Sequence, residues 1–66
     1  MNITLNGEAR SLPQGTRVAG LLASLELGGR RVALEVNGEI VPRSRHAEHE
    51  LRDGDVVELV HAVGGG

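Results

Sequence analysis

The chain contains no cysteine and no phenylalanine, tyrosine or tryptophan among its 66 residues. Without cysteine it can form neither a disulfide scaffold nor a thiolate zinc site, and it has no thiol nucleophile. A disulfide-free chain of this size fits a reducing compartment, so we expect it in the cytoplasm. Without aromatic residues, the core must consist of leucine, valine, isoleucine and alanine, each of which buries less area than an aromatic ring.

Long apolar runs and a strong excess of one charge are also missing. No run approaches the roughly 20 apolar residues of a membrane span, and Met1 leads into a polar–apolar alternation rather than a signal peptide. The formal net charge is −2, so the chain lacks the basic surface of a nucleic-acid-binding protein. We therefore expect neither a membrane nor a nucleic acid among its partners.

The short chain also argues against an enzyme. It is long enough for one domain, but not for a deep substrate cavity beneath the core. No serine has a nearby base with a defined orienting group, which disfavours a hydrolase triad. His46 and His49 lie three residues apart without an obvious third ligand. We expect no bound metal or cofactor, and a protein on which enzymes act.

Two strands and a helix are predicted in the first half. Residues 1–5 alternate between apolar and polar, which predicts a strand. Asn6-Gly7 predicts a hairpin turn, and the returning strand runs from Glu8 to Leu12, with Ala9 and Leu12 on its apolar side. A helix follows, whose apolar residues recur at i, i+3, i+4 and i+7: Val18, Leu21, Leu22 and Leu25.

The helix has signals at both ends. Thr16 is the expected N-cap, and Gly28-Gly29 is the expected stop. Gly20 inside the helix costs about 1 kcal/mol relative to alanine, which we attribute to close packing against a strand.

The second half predicts three more strands, joined by an Asn37-Gly38 hairpin turn and by a polar, irregular segment with one short helical turn. The strands cover residues 32–36, 39–41 and 56–63. The order β-β-α-β-β-β predicts an α+β roll with one helix over a mixed sheet of about five strands. Because the helix lies in the crossover between early and late strands, the last strand can lie centrally and parallel to the first. This is the β-grasp arrangement, with a domain over residues 1–63 and a tail over 64–66. One core is expected, formed by Ile3, Leu5, Val18, Leu22, Leu25, Leu34, Val57 and Leu59.

The chain ends in Gly64-Gly65-Gly66 directly after a strong strand. Glycines pack no side chain, so these residues form a thin thread that, from Val63, reaches about 13 Å. The carboxylate of Gly66 is ionised at neutral pH and is a poor electrophile until ATP converts it to an acyl-adenylate. Displacement of AMP by sulfide or a persulfide would leave a thiocarboxylate, whose sulfur is nucleophilic. A frayed end or linker remnant is the alternative interpretation.

Five segments together carry a resemblance to a known family. They are residues 1–7 (MNITLNG), Gly15-Thr16-x-Val18 with Leu21-Leu22, residues 36–43 (VNGEIVPR), Leu51-x-Asp53-Gly54-Asp55 and residues 60–66 (VHAVGGG). The whole chain resembles the ThiS-type sulfur carriers of thiamine biosynthesis, relatives of ubiquitin. Where the family commonly has an aromatic residue after the Pro-Arg pair, this chain has His46.

The resemblance implies the ubiquitin-like β-grasp fold and a role as protein cosubstrate rather than enzyme. It also implies that a ThiF-like enzyme adenylates Gly66 with ATP, that a sulfur donor such as a cysteine desulfurase relay loads it, and that thiazole synthase receives the sulfur. The small subunit of molybdopterin synthase is similar, but it often approaches its glycines through prolines. His61-Ala62-Val63 stands there instead, which favours the thiamine branch.

A partner-binding face is predicted beside the tail. The final strand alternates, and matching it to the ubiquitin-like pattern directs Val57 and Leu59 to the core. Val60 and Ala62 then form the apolar centre of a partner site that continues through Val63. Glu58 and Arg43 are candidate charges at its rim.

Three classes of function remain open from the residues alone. They are a sulfur carrier for thiazole formation or for a molybdopterin-type pathway, a ubiquitin-like protein modifier, and a plain interaction domain with an inconsequential tail.

Overall fold

Within the residues that the structure describes, five strands form one mixed sheet and one α-helix covers one of its faces. The computed structural model describes residues 1–28 and 30–61. The strands are β1 (Asn2–Leu5), β2 (Glu8–Ser11), β3 (Val32–Val36), β4 (Glu39–Ile40) and β5 (Val56–His61), with α1 (Val18–Ser24) between β2 and β3. The strand order is β2-β1-β5-β3-β4. The predicted α+β roll with a mixed five-stranded sheet is confirmed.

Both predicted hairpin turns are present and have the same backbone conformation. Asn6 and Asn37 have φ values of 49° and 53°, and the glycines that follow them have φ values of 83° and 85°. Positive φ at both central residues is the requirement of a two-residue type I′ turn. The Asn-Gly dipeptides therefore determine the β1–β2 and β3–β4 hairpins locally.

The helix begins differently from the sequence-based prediction. Arg17, not Thr16, is the N-cap, and its side chain makes no capping hydrogen bond; the Thr16 hydroxyl donates to the carbonyl of Pro13. The free N–H groups of the first turn are satisfied from the loop after β4. Val18 N–H donates to the carbonyl of His49, and Ala19 N–H to that of His46, each at 2.9 Å. A distant loop thus replaces the side-chain cap that a helix start normally takes from its own sequence.

The helix also ends before the predicted glycine stop. Its last residue is Ser24, with Leu25 as C-cap, whereas Gly28 lies further on and Gly29 lies outside the described residues. Glu26 takes the left-handed conformation, with φ of 61°. Glu26 N–H donates to Ala23 O at 3.0 Å, and Leu27 N–H donates to Leu22 O at 2.8 Å. This is a Schellman motif with glutamate at the position where glycine is usual.

The core is larger than predicted. Six of the eight predicted members are buried, while Leu25 and Leu59 are half-buried and pack against them. Four buried residues were not predicted: Leu21, Val36, Val41 and Leu51. His46 is buried as well, with Nε2 at 3.0 Å from the carbonyl oxygen of Val41. The imidazole therefore serves as a core side chain whose polar atom is satisfied by the backbone.

Two local predictions about the core were wrong. Ala9 is exposed because it pairs with Thr4 of β1 on the sheet face that α1 does not cover. Gly20 is not in close contact with a strand: a β-carbon there would meet only the Thr16 Cγ2 atom, at 3.8 Å. The described part of the chain holds no helix long and apolar enough to cross a bilayer.

Candidate functional site

The strand that leads to the glycine tail lies in the middle of the sheet. β5 runs parallel to β1, with Leu5 opposite Val57, and antiparallel to β3, from Val36 opposite Val57 to Val32 opposite His61. Pairing with β3 thus continues to the last residue of β5. The sheet therefore holds the backbone of β5 up to the last described residue before the glycines.

Side chains from both hairpin turns extend this pairing. Val56 N–H donates to Asn37 Oδ1 at 2.9 Å, and Asn37 N–H donates to the Val56 carbonyl at 2.7 Å. Asn37 Nδ2 also donates to Asp55 Oδ1 at 3.0 Å. On the other side of β5, the Asn6 amide binds the backbone of Leu59. Each turn asparagine thus holds one flank of the central strand.

The two faces of β5 differ sharply. Val57 is fully buried in the core and Leu59 is half-buried against it, so both lie on the predicted face. Val56, Glu58 and Val60 point to the opposite face, where Val60 is 64% and Val56 47% exposed. The described structure leaves this outer face without a covering layer.

Register shows which residues surround the exposed side chains. Val60 lies opposite Ala33, and Glu58 lies opposite Glu35. Glu35 in turn lies opposite Ile40 of β4, which is 70% exposed. We call this set the outer-face patch: Ala33, Glu35, Ile40, Val56, Glu58 and Val60.

The structure brings together only some of the predicted site residues. Glu58 and Val60 lie in the outer-face patch. Arg43 is exposed and lies in a 3₁₀ turn (Arg43–Arg45) that follows β4. The strand that it follows, β4, is at the edge of the sheet and is separated from β5 by β3. Ala62, Val63, Gly64, Gly65 and Gly66 lie outside the described residues, as does the predicted domain boundary after residue 63.

Four members of the outer-face patch were not predicted as site residues from the sequence: Ala33, Glu35, Ile40 and Val56. The alternation of β3 already indicates that Ala33 and Glu35 face away from Leu34. Nothing local indicates that β3 lies beside β5, because strand neighbours are set by the packing of the whole sheet. The missing information was therefore the strand order and not the direction of the side chains.

A cleft in the described structure lies away from the start of the tail. It has a volume of about 480 Å³, and Val36, Ile40, Pro42, Arg45 and His49 are among its lining residues. Val36 is at one end of β3, while Val32, opposite His61, is at the other. The cleft and the last paired residue of β5 therefore lie at opposite ends of β3.

Comparisons with known proteins identify the family. The chain matches the model of the ThiS family over residues 3–66. It is 43% identical to the sulfur carrier protein ThiS of Bacillus subtilis over 65 residues, which cover 97% of this chain and 98% of that protein. It is 42% identical over 66 residues to a thiazole synthase of Paramagnetospirillum magneticum, and it spans only 20% of the length of that relative.

A solved structure gives the same result at the level of the fold. The crystal structure of the thiamine biosynthesis protein ThiS from Geobacter metallireducens superposes with a TM-score of 0.84 at 33% identity, and the match covers 100% of both chains. The ubiquitin-like β-grasp fold and the family implied by the resemblance are thereby confirmed. This chain belongs to the ThiS family of sulfur carrier proteins.

Proposed function

We propose that this chain carries sulfur for thiazole formation in thiamine biosynthesis, as a protein cosubstrate rather than as an enzyme. The observation that carries the proposal is the match to the Bacillus subtilis carrier along 98% of that protein, together with a family match that extends to residue 66. The geometry agrees with this role, because β5, the strand before the glycines, lies at the centre of the sheet and is paired up to His61.

The chemistry takes place on the Gly66 carboxylate. A carboxylate oxygen attacks the α-phosphate of ATP and pyrophosphate leaves, which gives an acyl-adenylate. Hydrosulfide then attacks the acyl carbon, the bond to the AMP oxygen breaks, and one proton is released at neutral pH. The product is a thiocarboxylate, whose sulfur is a stronger nucleophile than the oxygen it replaces.

Gly64 and Gly65 serve as the thread that delivers this group. Residues without a Cβ can pass through a channel that excludes larger side chains. Ordering each of them costs about 1–2 kcal/mol, and glycine brings no side-chain contact to offset that cost. The affinity for a partner must therefore come from the folded body.

Three partners follow from this role. A ThiF-like enzyme would adenylate the chain with ATP, a donor such as a cysteine desulfurase relay would supply sulfur, and thiazole synthase would receive it. Support for the last comes from the thiazole synthase relative, one fifth of which is similar to this chain. The carrier itself needs no bound cofactor for these steps.

The outer-face patch is the surface on which we expect the adenylating enzyme to dock. Val60 is its most exposed residue on β5 and Glu58 is its neighbour on the same face; Ala62 and Val63, which follow in the sequence, are the other proposed contact residues. Arg43 would contact a partner only at the far edge of the sheet.

Val60→Asp should weaken binding by at least about tenfold, because a partner would bury an unpaired charge. The fold should survive, since Val60 is exposed. Unfolding of this variant would show that Val60 contributes to the core instead.

Loading of the tail tests the proposal directly. The chain is incubated with the adenylating enzyme, MgATP and sulfide, and its intact mass is measured. We expect a mass gain equal to the exchange of one oxygen for sulfur. Deletion of Gly66 should abolish it, since the reactive carbon is withdrawn by about 3.3 Å and misplacement on that scale costs about 100-fold in rate.

A second variant separates the effect of tail length from the effect of tail thickness. Gly65→Val keeps the length of the tail but adds a β-branched side chain that restricts the backbone and widens the thread. We expect loading to fail here too, with thermal stability within about 0.5 kcal/mol of the parent for both variants. Equal loading of the truncated chain would contradict the terminal-carboxylate mechanism. Isopeptide-linked products would point to a protein modifier.

A further inference from the structure

The outer-face patch contains two carboxylates in direct opposition. Glu35 and Glu58 form a cross-strand pair between β3 and β5, where like charges destabilise a sheet. Along β5, Glu58 has Val56 and Val60 as its neighbours on the same face. On the other side of β3, Glu35 lies opposite the exposed residue Ile40 of β4. The acidic pair is thus surrounded by exposed apolar side chains.

Among the described strand residues, no base on the same face neutralises the pair. The registers of the sheet assign ten described residues to this face: Asn2, Thr4, Ala9, Ser11, Ala33, Glu35, Ile40, Val56, Glu58 and Val60. Two of these are acids, and none of the ten is an arginine, lysine or histidine. In the free protein, solvent must therefore screen the repulsion between Glu35 and Glu58.

Docking removes that solvent. Any protein that covers Val60 and Ile40, the most exposed large apolar residues, must also cover the carboxylates between them. Burying two like charges without a counter-charge is strongly unfavourable. A partner with a purely apolar contact surface would therefore bind weakly, because it would bury both carboxylates without a counter-charge along with the apolar side chains.

We propose that the outer-face patch binds a partner protein that inserts one arginine or lysine side chain between Glu35 and Glu58. The aliphatic stem of such a side chain packs on apolar residues while its charged head pairs with carboxylates, and a guanidinium can bind two of them through its several donors. Val56, Val60 and Ile40 supply the apolar frame. This inference rests on the proposed function, in which the adenylating enzyme docks on this face.

A second copy of this chain fits the patch poorly. In a two-fold symmetric dimer the same patch would contact itself, so four carboxylates would meet in one desolvated interface. Charge complementarity therefore favours a partner with a basic contact residue.

The test uses Glu35→Gln, Glu58→Gln and the double variant, with Glu8→Gln on β2 as a matched control. In the free chain, either substitution in the pair should raise the thermal midpoint by a few degrees, because repulsion is relieved. Glu8→Gln should leave it unchanged. Because the pair variants are expected to be more stable than the parent, weaker binding could not be attributed to unfolding.

Binding is measured by calorimetry against the ThiF-like adenylating enzyme of the same organism, at low and high salt. Each single variant should lose roughly tenfold or more in affinity, and the salt dependence of binding should become shallower. The losses in the double variant should be less than additive, because both carboxylates hold one cation. Glu8→Gln should bind like the parent.

The outcomes separate this inference from the proposed function. If Val60→Asp weakens binding while the glutamine variants bind as tightly as the parent, no partner cation pairs with Glu35 and Glu58. The outer-face patch would then still be the docking surface. If neither change weakens binding, but Gly66 is still loaded with sulfur, the docking face is wrong and the carrier function stands. A stable homodimer that Val60→Asp dissociates would overturn the proposal in favour of a second copy.

Discussion

Asn6 and Leu59 are 53 residues apart in sequence and are joined by two hydrogen bonds. Leu59 N–H donates to Asn6 Oδ1 at 2.7 Å, and Asn6 Nδ2 donates to the Leu59 carbonyl at 3.2 Å. The side-chain amide thus takes the place of a further residue of β1 and extends the pairing with β5. The same asparagine forms the first hairpin turn with φ of 49°.

Asn6→Gly separates these two roles, because glycine keeps the freedom to adopt positive φ but removes the amide. We expect a loss of about 1–2 kcal/mol in the free energy of unfolding, for two partly solvated hydrogen bonds. Hydrogen exchange at the Leu59 amide should also accelerate. Urea unfolding and exchange measured by NMR would show both effects, and unchanged protection at Leu59 would contradict the assigned pairing.

Leu22→Ala tests the buried face of the helix. Leu22 is 5% exposed, and removing a buried leucine side chain costs about 2–5 kcal/mol, a large share of the stability of a small domain. Ile40→Ala is the matched control, because Ile40 is 70% exposed and should change stability by less than about 0.5 kcal/mol. Similar midpoints for the two variants would refute the assignment of the core.

Gly20→Ala should stabilise the protein. The space for a methyl group is free apart from an ordinary contact with Thr16, and alanine is favoured over glycine within a helix by about 0.5–1 kcal/mol. Gly38→Ala is the control: nothing lies within 4 Å of its β-carbon, but its φ is +85°. We expect that control to destabilise the protein through backbone strain alone. Thermal unfolding would distinguish the two signs.

Glu26→Gly should also stabilise the protein. Glutamate in the left-handed conformation costs about 1–2 kcal/mol, which glycine avoids at the expense of a more flexible unfolded chain. We expect a net gain of up to about 1 kcal/mol in chemical denaturation. Glu26→Ala retains the strain and should give no such gain; an equal gain from both would show that backbone conformation is not the cause.

Local chemistry made several elements predictable. The two Asn-Gly turns and the alternation of β1, β3 and β5 depend only on neighbouring residues, because glycine and asparagine tolerate positive φ and strand side chains alternate between faces. The same alternation put Val57 and Val60 on opposite faces, and the resemblance to the ubiquitin-like pattern correctly assigned Val57 to the buried face and Val60 to the exposed face.

The ends of the helix could not be predicted in this way. At its start, the carbonyls of His46 and His49 replace the cap expected from Thr16, and these carbonyls come from a loop about 30 residues further along the chain. At its end, Glu26 adopts the strained left-handed conformation, and Leu27 packs against the core as a result. In both places a tertiary contact outweighed a local preference of about 1 kcal/mol.

The sequence by itself determined the turns, the side-chain alternation of β1, β3 and β5 and, through whole-chain similarity, the family. Only the tertiary structure decided that β5 lies between β1 and β3, that Asn6 binds Leu59, and that Glu35 lies opposite Glu58. The physical reason is that side-chain direction follows from the geometry of adjacent residues, whereas strand neighbours are chosen by the joint burial of all apolar faces against one helix.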